Sequence, residues 1–209
     1  MKTAALAALG FCLIASCQAS EARARHAAQS AQASGSTQAA DKTAPSYDMK
    51  AQSVFDLQAL QKKYTDLAGA IPAEKYTWRP AEGVRSFSEL FLHVSGANYL
   101  IPNLMGVPMP AGFDGKTFEK STTDKAKIIE QLNKSFTSAI ALVQGMSNAD
   151  FAKAEKKLGP DANDGDVVYI LVTHAHEHLG QSIAYARQNG IIPPWTAEAL
   201  KKDAKAPKE

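Results

Sequence analysis

Between Met49 and Tyr185 apolar residues return every three or four positions in four separate stretches, and the breaks between them are rich in Pro and Gly. That period stacks the apolar side chains on one face of an α-helix. The first stretch runs through Val54, Leu57, Leu60, Tyr64, Leu67 and Ala68, and should end near Ala70, ahead of Pro72. Residues 78–85 read as a loop punctuated by Pro80 and Gly83. Ser86 and Glu89 have capping-box spacing and predict the start of a second helix, with Leu90, His93, Ala97, Leu100 and Leu104 facing inward and Pro102 kinking or ending it. A third helix is expected from about Asp124, with Ile128, Leu132, Ser135, Ala139, Leu142 and Met146 inside. The fourth carries Val167, Leu171, His174, His178, Gln181 and Tyr185 and stops at Asn189-Gly190. Residues 108–123 and 150–166 read as irregular connections, and the end after Trp195 as at most a short extra helix and a polar tail, 196–209. With no convincing strand, the pattern predicts an all-α four-helix bundle.

Three of the inward positions are histidines. His174 and His178 are four residues apart, so their imidazoles stand one above the other on a helix and can converge on one metal ion. His93 shares the inner face of the second helix. Burying three imidazoles unpartnered would cost roughly 1–3 kcal/mol each, and a metal removes that cost. A lone core histidine, by contrast, is usually held by a carbonyl. His176 lies about 200° around the helix from His174 and should be solvated. Glu177 points about 100° away from His178, which argues against a general-base role. Trp78 and Tyr185 suit aromatic core packing better than a pocket wall. Arg85 could orient an anionic substrate or be a surface charge near a helix start.

The first 16 residues have the pattern of a signal peptide: Lys2, then a short apolar run from Ala4 to Ala15 that falls short of the ~20 residues a membrane span needs. Ile14-Ala15-Ser16-Cys17 resembles a bacterial lipoprotein signal, which implies cleavage before Cys17 and lipidation of that residue. On this resemblance Gln18 points to the outer membrane. Cleavage after Ala19, leaving a soluble periplasmic protein, is the alternative. Residues 17–48 are polar, Ala-rich and without an apolar period, so they read as a flexible tether; His26 belongs to it. Cys12 lies in the leader, and a lipidated Cys17 leaves the mature domain without a thiol for a disulfide, a nucleophile or a metal. The 23 basic and 21 acidic residues are interspersed, which excludes a nucleic-acid surface.

The segment from Arg79 to Leu90 with Leu92-His93-Val94-Ser95-Gly96-Ala97, and later His174, His178, Gly180 and Gln181, resembles the DinB-like family of bacterial metalloproteins. The likeness spans residues 49–195. It implies a four-helix bundle in which His93, His174 and His178 bind a divalent metal, zinc, nickel or iron. It further implies that Gln181 bonds a ligand histidine or a water at the metal, although a polar core contact suits that residue equally. Some members are metal-dependent thiol transferases, isomerases or hydrolases. Two classes of function follow: an exported metal-dependent hydrolase or thiol transferase acting on a small molecule, or an envelope lipoprotein that holds a metal without turnover. The substrate is open, and so is homodimerisation. Export weighs against thiol transfer, because the low-molecular-weight thiols that such relatives use are chiefly cytoplasmic.

Overall fold

The computed structural model describes residues 47–204. The expected leader 1–16, Cys17, His26 and nearly all of the tether lie outside the described residues. Helix α1 spans Met49–Ala70, α2 Phe87–Asn103, α3 Lys125–Gly145, the one-turn α4 Asn148–Phe151, α5 Asp164–Gln188 and α6 Pro194–Asp203. Strand pairing among the described residues is confined to a single bridge between Ala154 and Asn163. None of the described helices is long and apolar enough to cross a membrane.

Local chemistry sets the helix ends. Asp48 and Asp124 accept from the backbone N–H groups of Ala51 and Lys127 and so cap α1 and α3. Ser86 and Glu89 form both halves of the capping box that opens α2. Pro102 falls in the last turn of α2, where it ends the helix at Asn103 rather than breaking its middle. Helix α5 starts at Asp164, earlier than its apolar period indicates, because Asn163 and Asp166 build a second capping box inside the polar run. Gly190 follows the Asn189 cap at φ +72°, a left-handed turn that glycine adopts without strain. After Trp195 the chain is helical to Asp203, and Lys63 of α1 lies over the Trp195 ring.

The four long helices pack in the cyclic order α1, α3, α2, α5. Lys50, at the start of α1, donates to the Met146 carbonyl past the end of α3, while Lys125 at the start of α3 reaches the carbonyls of Gly69 and Ile71. These helices are therefore antiparallel. Phe87, at the start of α2, packs on Tyr185 near the end of α5, so that pair is antiparallel too. Tyr64 late in α1 meets Phe91 early in α2. It follows that α1 runs parallel to α5, and α2 to α3. Sequence neighbours α1 and α2 lie on a diagonal, so their side chains meet only in the core.

Leu57, Leu60, Tyr64 and Leu67 of α1, Leu90, Phe91 and Val94 of α2, Leu132 and Phe136 of α3, and Leu171 and Ala175 of α5 are at most 1% exposed. Tyr64 spends its hydroxyl on the Ala175 carbonyl at 2.8 Å, which satisfies a buried donor. Helix α2 is buried on almost every side. The connection between α2 and α3 covers the face that α3 and α5 leave open, through the 3₁₀ turn Phe118–Lys120. Leu100 departs from the predicted inner face: it is 43% exposed, at the edge of that cover.

Candidate metal centre

Helix α2 presents His93 and helix α5 presents His174 and His178, all three half-buried, with one ring nitrogen of each within 4.8 Å of the others. The Nε2 atom of His93 stands 3.1 Å from Nε2 of His174 and 3.1 Å from Nε2 of His178. Metal–nitrogen bonds of about 2.0–2.1 Å with an angle of about 100° between them span that separation.

The outward nitrogens decide what these short contacts mean. Nδ1 of His93 donates to Oε1 of Glu119. Arg85 grips the same carboxylate with Nε at 2.8 Å and Nη2 at 3.1 Å. Nδ1 of His178 donates to Oε1 of Gln181 at 2.9 Å, and Gln181 in turn donates to the Tyr185 hydroxyl. With protons on both Nδ1 atoms, the Nε2 atoms of His93 and His178 face one another as bare lone pairs. A single proton on His174 could bridge it to one neighbour and would leave the other contact repulsive. A cation among the three nitrogens removes the conflict. The donor set fits a divalent ion.

Electrostatics favour the neutral, ligating form of His93 and His174. Burial lowers the pKa of His93 and outweighs the opposing hydrogen bond to Glu119. Burial and the neighbouring His178 lower that of His174 to about 4. For Glu119, burial pushes upward, but the Arg85 fork and the His93 bond prevail and hold the carboxyl below its ordinary value. Nδ1 of His174 is buried without a hydrogen-bond partner among the described residues.

His176 and Glu177 are exposed on the outer face of α5, as their helical phase requires. Trp78, Phe87 and Tyr185 form an aromatic cluster under the end of α5. Arg85, read as an anion binder or a surface charge near a helix start, has a side chain 40% exposed just ahead of the Ser86 cap, and its guanidinium braces Glu119. Glu119 itself was not legible, since it lies in an aperiodic connection. A cavity of about 310 Å³ opens on His93, His174 and Glu119. A larger one, about 440 Å³, lies against Met146, Lys153 and Asp164, and among the described residues no histidine is in its wall.

The sequence profile of the DinB superfamily matches residues 56–182, which contain all three histidines. The chain belongs to the DinB superfamily. Solved structures agree on this DinB fold. A DinB-like protein from Bacillus cereus is 17% identical with a TM-score of 0.57, over 66% of this chain and 93% of that one. YfiT from Bacillus subtilis, described as a probable metal-dependent hydrolase with an unusual four-helix bundle topology, is 14% identical with a TM-score of 0.56, over 72% of this chain and 93% of its own. A conserved protein from Enterococcus faecalis is 12% identical with a TM-score of 0.56, over 68% and 97%. A search of curated proteins found no match.

Proposed function

We propose that this DinB protein is a metal-dependent hydrolase or thiol transferase that holds one divalent ion on His93, His174 and His178. The observation that carries it is the convergence of three Nε2 atoms whose back nitrogens are already committed or buried. Three protein donors leave coordination positions free, and a cavity adjoins them, which favours catalysis over simple storage. The description of YfiT as a probable metal-dependent hydrolase supports the same reading.

When bound, the ion would lower the pKa of water or a substrate thiol toward neutrality. The remaining chemistry belongs to the chain. Glu119 orients His93 and makes it a better donor, Arg85 keeps Glu119 ionised and in place, and Gln181 orients His178. The carbon-lined cavity beside them limits bulk water at the reacting end.

Zinc, nickel or iron is added in turn to metal-free full chain, which is then assayed on model esters, amides and thiol–electrophile pairs. Turnover lost on chelation and restored by one equivalent of a metal supports the proposal. Stoichiometric binding with no turnover for any of the three converts it to the non-catalytic reading. We further propose export, with cleavage before a lipidated Cys17 and anchoring to the outer membrane, supported by the Ile14-Ala15-Ser16-Cys17 pattern and Gln18. Mass spectrometry of the native N-terminus tests it: a chain beginning near Ser20 favours soluble secretion, and an unprocessed one defeats both.

A further inference from the structure

The cavity beside the histidines is built almost entirely of carbon. Helix α2 contributes Ala97, Leu100 and Ile101, the connection after it Phe113 and Phe118, and α5 Ile170. Two glycines let these walls close up: a Cβ on Gly96 would stand 3.3 Å from the Phe118 ring, and one on Gly115 3.4 Å from Leu100. The polar groups in the lining are His93, His174 and Glu119. Glu119 is engaged by Arg85 and His93, and among the described residues no Lys or Arg is in the lining. Beyond the reach of the proposed metal, an anion placed among these walls would be desolvated beside a carboxylate whose cationic partner, Arg85, is already engaged. A neutral aromatic or branched aliphatic group would instead replace water against phenyl and isobutyl surfaces.

We propose that this cavity is the specificity pocket of the site: it takes the uncharged, apolar group of the substrate, aromatic or branched aliphatic, and so places the adjoining reactive bond at the three imidazoles. The assignment of the reactive end rests on the metal site proposed above; that of the apolar pocket does not. Substrates with a carboxylate or phosphate on the side chain that enters the pocket are excluded by the same chemistry. Leu100, 43% exposed, stands at the mouth, where a longer group would emerge.

Metal-free full chain, with Ile and Leu methyls labelled for NMR, is titrated with benzyl alcohol and separately with benzoate, which has nearly the same shape but carries a charge. Benzyl alcohol should shift the methyls of Leu100, Ile101 and Ile170, and benzoate should bind at least tenfold more weakly. Ile170→Trp, which fills the pocket, should lower the benzyl alcohol affinity at least tenfold while zinc stoichiometry stays the same. Leu100→Ala, on the exposed wall and so tolerant of change, should shift preference toward 4-tert-butylbenzyl alcohol. Absence of shifts at the cavity methyls, or equal binding of benzoate to the metal-free chain, overturns the pocket and leaves the metal site standing. Benzyl alcohol binding by a chain that takes up none of zinc, nickel and iron supports the pocket and overturns the metal site.

Discussion

The three imidazoles differ in what holds the nitrogen facing away from the site. His93 has a carboxylate braced by an arginine, His178 an amide anchored on a tyrosine hydroxyl, and His174 no partner among the described residues. Partners of this kind typically change metal affinity by about 10–100-fold, the carboxylate most strongly because its charge adds to the imidazole's donor strength. Glu119→Ala should therefore weaken zinc binding by about 10–100-fold, and Gln181→Leu by less, both read by competition with a chromophoric chelator. His174→Ala and His178→Ala should abolish most binding, whereas His176→Ala, on the exposed face of α5, should leave it unchanged. Equal loss from all three would refute the helical-face assignment. The three histidines were visible beforehand because helical phase relates residues on one face and a family motif ties the two helices together. Glu119 and Arg85 were not paired beforehand, because 34 residues of loop and helix separate them and no periodicity runs through residues 108–123.

At the scale of the element, caps position the helices that carry the ligands. His93 sits two turns into α2, whose first turn depends on the Ser86–Glu89 box. Ser86→Ala should cost about 1 kcal/mol, since it strands a backbone donor. For a domain of this size that lowers the thermal midpoint by about 2–4 °C. A drop below the noise of a melting curve would mean that core contacts of α2 alone fix its start. The Ser86 box was legible because it directly precedes an apolar period. Its counterpart at Asn163 and Asp166 was hidden in a run of turn-forming residues, where capping side chains and loop side chains are the same types.

At the scale of the molecule, ligands from two helices that are 81 residues apart at His93 and His174 meet only once the bundle has closed. A metal that binds the folded chain alone stabilises it by about 2.7 kcal/mol at a hundred times its Kd. Zinc should thus raise the thermal midpoint by roughly 5–10 °C. A chelator should reverse the rise, and His178→Ala should not show it. A shift persisting in that variant would place the ion elsewhere. Periodicity identified four inward faces but not the order α1, α3, α2, α5, because an apolar stripe states that a helix has a partner and not which one.

The level at which α1 begins has a practical corollary. Helix α1 begins beside Met146, whereas the imidazoles lie level with Tyr64, about 22 Å further along at 1.5 Å per residue. A dye coupled at the exposed Tyr47, just ahead of α1, is thus kept more than about 20 Å along the bundle axis from the reactive pocket. Protein immobilised through that position should take up zinc as quickly as free protein.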